Sequence, residues 1–328
     1  METILVTGGW GHLGRYLVVR LAAEGHRVRV LTRASHRDNP RPTDAGEEVF
    51  FGDIRDDKAV SRAVAGADSV VHLVANFRRA GTDAKEAYSI NVEGTLNVLR
   101  ATVAHETPRL IHCSTIGVHG DVQDIPADED SPFNPGDKYQ ETKLIAERKV
   151  WEVAEKAGLA ATVIRPVAIY GPGDRRLLKL FRMIKKGWFL RVGNGKTLYH
   201  PAYVDDVVEG FVLALTSERA IGGTFIIGSD RYLTLNELAT AIARELGVKL
   251  RTVQLPSRAM EIAATICENV CPRVGLEPPI HHRRLGFYSS NRAFSVEKAK
   301  TILGYRPAVS LAEGLHRTAS WYRDHGWL

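Results

Sequence analysis

Tyr139 and Lys143 stand four residues apart in Tyr139-Gln140-Glu141-Thr142-Lys143. On a helix that spacing puts both side chains on one face, about one turn apart. A free phenol ionises near pH 10, so a tyrosine working as a base near pH 7 needs a shift of ~3 units, worth ~4 kcal/mol. A neighbouring ammonium stabilises the phenolate and supplies much of that shift. Alone, the pair is common by chance, and a surface tyrosine beside a solvated lysine is its plain alternative. Two upstream elements give it context.

The first is Thr7-Gly8-Gly9-Trp10-Gly11-His12-Leu13-Gly14, which follows the apolar run Ile4-Leu5-Val6 and leads into Arg15-Tyr16-Leu17-Val18-Val19-Arg20-Leu21. The apolar run predicts a short buried strand and the following segment a packed helix. Gly8, Gly11 and Gly14 permit a tight turn, close backbone approach to a diphosphate, and close helix–strand contact. Amides at the helix N-terminus would face the phosphates. The spacing is G-x-x-G-x-x-G, not G-x-G-x-x-G. The second element is Cys113-Ser114-Thr115, which ends the apolar strand Leu110-Ile111-His112.

In this order the three elements resemble the extended branch of the short-chain dehydrogenase/reductase superfamily, the NAD-dependent epimerase/dehydratase group. The resemblance continues through Gly52-Asp53-Ile54, Asn91-Val92-Glu93-Gly94-Thr95, Arg165-Pro166 and Tyr170-Gly171-Pro172-Gly173, covering essentially the whole chain. It implies an α/β fold: a Rossmann-type doubly wound parallel sheet with a smaller, discontinuous C-terminal substrate lobe. It also implies a catalytic set of Thr115, Tyr139 and Lys143. Tyr139 would exchange a proton with the substrate oxygen, Thr115 would polarise that oxygen, and Lys143 would hold the nicotinamide ribose while lowering the tyrosine pKa. Thr115 is preferred to Ser114 because Val118-His119-Gly120 occupies the aliphatic-aromatic-glycine ending that follows the family's Ser/Thr; Ser114 would support the site from behind. His119 replaces the usual tyrosine and is read as a packing or hydrogen-bonding group rather than a catalytic acid.

By the same resemblance the cofactor is held by Gly8, Gly11, His12, Leu13, Gly14, Arg33, Asp53, Ile54, Val74, Ala75, Tyr139, Lys143, Pro166 and Ala168. Asp53 is expected at the adenine, with a turn role as its alternative, and Asn91 is expected to hold the active-site helix through backbone contacts. Tyr203-Val204-Asp205-Asp206-Val207 resembles a structural feature. No acid stands at Thr32 or Arg33, where NAD-preferring sites bind the ribose hydroxyls, and Arg37 follows nearby. Arginine suits a 2′-phosphate. NADP(H) is therefore expected over NAD(H).

Ile116 and Gly117 occupy the positions of the acid pair in sugar dehydratases, and Ala168 stands where many nucleotide-sugar epimerases carry Asn. The 165–173 segment, the Pro278-Pro279-Ile280 tail and Leu303-Gly304-Tyr305-Arg306-Pro307 instead resemble the 3β-hydroxysteroid dehydrogenase and dihydroflavonol reductase-like group. The expected activity is interconversion of a ketone and a secondary alcohol on a relatively apolar small molecule. A nucleotide-sugar epimerase or reductase, and a non-catalytic nucleotide-sensing or scaffold protein, are the alternatives; the complete Thr115, Tyr139 and Lys143 set speaks against the last.

These residues need elements to position them. Strands are expected near 3–7, 27–32, 47–52, 69–74, 109–114 and 160–165, with helices at 13–24, 57–65, 84–105 and 138–156. Such alternation predicts a parallel sheet covered on both faces. The expected division is 1–168 with 201–229 for the nucleotide domain, and 169–200 with 230–328 for the substrate lobe. Ala259, Ile262, Ile266 and Val270 form one helical stripe, read either as an apolar lid over the substrate or as a core-packing face.

The 328 residues can bury a large core, and 44% hydrophobic with 25% charged residues is ordinary for a globular protein. No apolar run approaches the ~18 residues of a membrane span, and the first strand begins at once, so no secretory signal is expected. With only Cys113, Cys267 and Cys271 present, no disulfide framework emerges; packing is preferred to zinc binding, and a reducing cytoplasm fits. A net charge of +6 favours anionic substrates or acidic surfaces, yet no nucleic-acid module accompanies it. A homodimer is compatible with the resemblance. The densest basic stretch, 175–186, reads as a solvated helix face or an anion-attracting rim to the substrate cleft.

Overall fold

The computed structural model describes residues 1–36, 46–76, 84–271 and 282–328. Arg37 and Pro278-Pro279-Ile280 lie outside the described residues. The chain begins with β1 (Thr3–Thr7), α1 (His12–Ala23), β2 (Arg27–Thr32), β3 (Glu48–Phe51), α2 (Asp57–Val64) and β4 (Ser69–His72). It continues through α3 (Ala84–Tyr88), α4 (Gly94–Ala104), β5 (Arg109–Cys113), α5 (Lys138–Ala157) and β6 (Ala160–Pro166). Next come β7 (Ala168–Tyr170), α6 (Arg175–Lys185), β8 (Trp188–Val192), β9 (Leu198–Tyr199), β10 (Pro201–Tyr203), α7 (Val204–Thr216) and β11 (Thr224–Ile227). The chain ends with β12 (Leu233–Thr234), α8 (Leu235–Leu246), β13 (Arg251–Leu255), α9 (Ser257–Val270), α10 (His282–Ser289), α11 (Glu297–Leu303) and α12 (Leu311–Asp324).

Seven strands form one parallel sheet in the order β11-β6-β5-β4-β1-β2-β3. Helices cover both faces, so strand interiors read as continuous apolar runs: Ile4, Leu5 and Val6 are 1%, 0% and 0% exposed. Strand order reverses between β1 and β4, and ligands of open α/β sheets bind at the C-terminal ends of strands beside such a reversal. Register across this point puts Thr7 beside His72, and His72 beside His112. Three polar side chains thus stand at or one residue before the ends of three adjacent central strands.

The catalytic helix is fixed at both ends. Asp137 caps α5 by accepting the Gln140 N–H at 2.9 Å, and Gly158 ends it in the left-handed region at φ +65°. Within the sheet, Arg165 of β6 pairs with Glu147 of α5; the two side chains are 3% and 2% exposed. Arg165 Nη1 also donates to the Glu129 carbonyl at 2.8 Å. Breaking one partner of so buried a pair would cost about 3–5 kcal/mol.

A second core fills the C-terminal part, with Phe181, Phe189, Leu238 and Tyr322 at its centre. Asp206 accepts the Ala308 and Val309 N–H groups, a structural role as expected.

Two expectations are corrected. The 84–105 segment is not one regular helix: a π-helical turn, Ser89–Glu93, separates α3 from α4 and carries Asn91. The stripe on α9 is not a core-packing face, and Ile262 instead lines a small cavity with Leu285 and Ser289. Ile262, Ile266 and Val270 are 62%, 56% and 49% exposed, while Ala264 is the buried residue of that helix. A small residue allows close approach, and the larger apolar face turns outward.

Candidate active site

The glycine turn closes on itself. Gly8 takes φ +75°, and a Cβ on Gly14 would stand 2.3 Å from the Gly8 carbonyl oxygen, so neither position accepts a side chain without displacement. Beyond this turn lies a cleft of about 320 Å³ whose walls include Gly8, Gly11, Arg33, Asp53, Ile54, Val74 and Ala75. The turn, the amides at the start of α1 and the cleft beside them fit a dinucleotide. His12, Leu13 and Gly14 begin α1 beside this wall, whereas Tyr139, Lys143, Pro166 and Ala168 stand outside the walls of this cleft, on α5, β6 and β7.

Asp53 stands just after β3. It faces the cleft, and its carboxylate is clamped by Arg55 through Nε at 2.8 Å, Nη2 at 2.7 Å and the backbone N–H at 2.9 Å. These bonds, Arg55's above all, hold its pKa below the ordinary carboxylate value. Sequence reasoning missed Glu86 and Asn76, which also line the cleft; neither sits in a motif that marks it.

Lys143 is 1% exposed. Its Nζ donates to the Cys113 carbonyl at 2.7 Å and reaches His112 Nε2 at 3.3 Å. Burial pushes its pKa down. An ammonium offers three donors and no acceptor, so His112 Nε2 is the acceptor and the proton of its neutral ring sits on Nδ1. That Nδ1 is buried with no partner among the described residues. Burial, then the charge of Lys143, holds His112 well below the usual imidazole pKa.

His72 lies beside it, ring centroids 5.4 Å apart. Thr95 Oγ1 donates to the Asn91 carbonyl at 2.6 Å, so it accepts from His72 Nε2 at 3.0 Å. His72 Nδ1 then accepts from Thr7 Oγ1 at 2.7 Å. Burial lowers the His72 pKa to about 3. Asn91 acts through its side chain rather than its backbone alone: Oδ1 accepts the Asn76 N–H at 2.7 Å and Nδ2 donates to Thr142 Oγ1 at 2.9 Å. Thr142 in turn donates to the Tyr139 carbonyl at 2.8 Å. A polar seam therefore joins the residue before the glycine turn to the helix carrying Tyr139. Its one sequence signal is a histidine at the end of each of two adjacent apolar strands.

Thr115 follows β5 and is half-buried. Its Oγ1 accepts the Gly117 N–H at 3.1 Å, a bond that does not use its O–H donor. The turn after it packs on α5, where a Cβ on Gly117 would stand 3.0 Å from Gln140 Cγ, next to Tyr139. Ser114 Oγ is buried with no partner among the described residues, so no hydrogen bond supports the site from it. His119 accepts from Arg165 Nη1 at 3.0 Å through Nε2 and pairs with the Pro132 carbonyl through Nδ1 at 3.2 Å. It stacks on Phe133 with centroids 5.4 Å apart. That is a packing and hydrogen-bonding position.

The sequence profile of the NAD dependent epimerase/dehydratase family matches residues 4–228. The chain is 32% identical to the 2-alkyl-3-oxoalkanoate reductase of Stenotrophomonas maltophilia, over 96% of this chain and 97% of the relative. It is 30% identical to the decarboxylating sterol-4-alpha-carboxylate 3-dehydrogenase of Bos taurus, over 95% of this chain and 90% of the relative. The crystal structure of gox2253 superposes with a TM-score of 0.83 over all of both chains, at 28% identity. The chain belongs to the NAD-dependent epimerase/dehydratase family and is an NAD(P)-dependent enzyme of the extended short-chain dehydrogenase/reductase fold.

Proposed function

We propose that this enzyme interconverts a ketone and a secondary alcohol with NADP(H) on a substrate with an apolar body. The observation that carries the reading is Lys143, buried beneath the end of β5 and one helical turn from Tyr139. The cofactor supplies the hydride when bound. Tyr139 Oη exchanges the proton at the substrate oxygen, and Thr115, with its acceptor side already used, donates its O–H to the same oxygen. Lys143 stabilises the phenolate and reaches the ribose with the donor that Cys113 and His112 leave over. Arg33 on the cleft wall, with no acid at Thr32, supports NADP(H).

The names of the two relatives share one substrate frame: oxygen-bearing carbon 3 next to an alkylated carbon that bears the carboxylate. We adopt that frame here, a 3-oxo or 3-hydroxy acid with an apolar body. A panel of such acids, neutral ketones and nucleotide sugars, followed by nicotinamide absorbance and product analysis, tests it. Turnover of acids or ketones is the expected result. Product analysis that shows only epimerised sugar, with no net change in absorbance, would overturn it.

A further inference from the structure

Residues 175–204 carry eight lysines and arginines and no acidic residue, and residues 246–260 carry three more with none. The two segments meet in one ribbon. β8 comes from the first and β13 from the second, and they pair in parallel as a two-stranded sheet, Trp188 beside Arg251 and Leu190 beside Val253. Alternation along β8 turns Phe189 into the C-terminal core and Trp188 and Leu190 the other way. Trp188, Leu190 and Val253 are 44%, 42% and 36% exposed. Val192, next along that face, is buried, so cover from the chain itself stops short of Leu190. Parallel strands are ordinarily covered on both faces, and an exposed apolar row marks an interaction surface.

Cations ring this row. Lys185 and Lys186 close α6 and lead through Gly187 into Trp188. The Gly187 turn lies against the other strand's approach, where a Cβ on Gly187 would stand 3.4 Å from the Lys249 carbonyl oxygen. The Arg251 guanidinium lies over the Trp188 ring, 5.7 Å from its centroid. All four cationic side chains are exposed. The acids that bound the two segments face other partners: Asp174 caps the far end of α6, Asp205 meets Arg317 and Glu245 meets Arg323. The apolar stripe on α9 lacks such a rim, because Glu261 and Glu268 share that helix with Arg258.

Charge decides what covers the ribbon. A second copy of this chain, docked about a two-fold axis, would bring its own Lys185, Lys186, Lys249 and Arg251 against the same rim, like charge on like. An anionic lipid surface reverses the sign. Its headgroups meet the cations, while an indole and aliphatic groups enter the interfacial layer beneath them. The net charge of +6 adds long-range attraction.

We propose that the uncovered face of the β8–β13 ribbon is a peripheral docking surface for an anionic lipid bilayer. Trp188, Leu190 and Val253 are the inserted groups, and Lys185, Lys186, Lys249 and Arg251 contact the headgroups. Among the described residues no helix is long and apolar enough to cross a membrane, so the contact lies on the surface. It does not depend on the ketone–alcohol reading.

Co-sedimentation of the full chain with vesicles of equal parts phosphatidylserine and phosphatidylcholine, and with vesicles of phosphatidylcholine alone, tests it. Wild type should sediment with the first far more than with the second, and added salt should release it. Three double variants locate the surface. Lys185→Gln with Lys186→Gln, and Trp188→Gln with Leu190→Gln, should each lower partitioning onto anionic vesicles about tenfold or more, whereas Ile262→Gln with Ile266→Gln should leave it within about twofold. NADPH affinity and the thermal midpoint, measured on each variant, report folding.

No sedimentation of wild type with anionic vesicles at low salt would overturn the proposal. Equal binding to both vesicle types would overturn it by removing the charge that selects the partner. A loss confined to the lysine pair would reduce the contact to diffuse attraction, and a loss confined to the α9 pair would move the surface there; either overturns the assignment to the ribbon. A monomer–dimer equilibrium in sedimentation velocity that Trp188→Gln with Leu190→Gln abolishes would give the face to a second copy instead.

Discussion

Lys143 Nζ sits 3.3 Å from His112 Nε2, and the imidazole that accepts this bond leaves its own buried Nδ1 with no partner among the described residues. A buried donor without a partner costs about 1–3 kcal/mol, and packing alone does not require it. The geometry fixes the ammonium by two acceptors, Cys113 and His112, and so aims its third donor. On the function proposed for Lys143, His112 acts as a positioning residue. His112→Leu should raise the dissociation constant for NADP(H) and lower the pH at which Lys143 loses its proton, bringing the alkaline limb of the rate profile down. A hydrogen bond to a charged group is worth about 1.5–3 kcal/mol, so the affinity change should be roughly tenfold or more. His112→Gln, which restores an acceptor, should recover part of both. Titration of cofactor fluorescence and a pH–rate profile decide it. A folded His112→Leu protein with unchanged affinity and profile would assign His112 to packing.

Tyr139→Phe removes only the exchangeable proton. It should bind cofactor as wild type does and lose turnover by roughly 10²–10⁴-fold, the usual worth of a positioned acid or base. Lys143→Met should add a loss of cofactor affinity, since the role proposed for its ammonium is to hold the ribose. Steady-state rates with a separate binding titration separate the two effects. Near-normal rates in Tyr139→Phe would exclude the phenol as the proton carrier.

Arg33 lines the cleft with Asp53 and contributes to the field that lowers the Asp53 pKa. Arg33→Ala should weaken NADPH by roughly tenfold or more relative to NADH, because only NADPH carries a 2′-phosphate and a charge-assisted bond is worth about 1.5–3 kcal/mol. Competitive titration of both cofactors measures the ratio. Equal losses would make Arg33 a structural contact of the Asp53 loop.

The parts of this molecule that were legible in its sequence are those with a period or a fixed spacing. The strands at 3–7 and 27–32 are bounded as their apolar runs suggest. The short ladders β7–β10, β9–β12 and β8–β13 were not legible, because two to five residues carry too little pattern. The α9 stripe shows the converse limit. Periodicity marks an amphipathic face, but only packing decides whether Ala264 or Ile266 turns inward. Within the site, Tyr139, Lys143 and the glycine turn stood out by spacing. His72 and His112 did not, because their partnership depends on strand register and β4 and β5 are distant in sequence.

The same seam predicts sensitivity to acid. His72 is 1% exposed, and burial lowers its pKa from 6.5 to about 3. Between those values the unfolded chain binds a proton that the native chain refuses, so stability must fall as pH drops through that window. Above pH 6.5 both states are neutral at this site and the contribution is level. At pH 5 the deficit from this one group is about 2 kcal/mol, since each unit of separation is worth about 1.4 kcal/mol. His112, His12 and His200 are shifted the same way by burial, so the whole protein should be markedly more labile to urea at pH 5 than at pH 7. His72→Gln replaces the ring with a neutral hydrogen-bonding group that does not titrate. It should be less stable than wild type at pH 7, where it loses the fitted ring and its bonds to Thr7 and Thr95, yet its further loss between pH 7 and 5 should be smaller by about 2 kcal/mol. Urea midpoints and slopes at the two pH values give that difference directly. Parallel acid losses in wild type and His72→Gln would show that His72 accepts its proton in the native state.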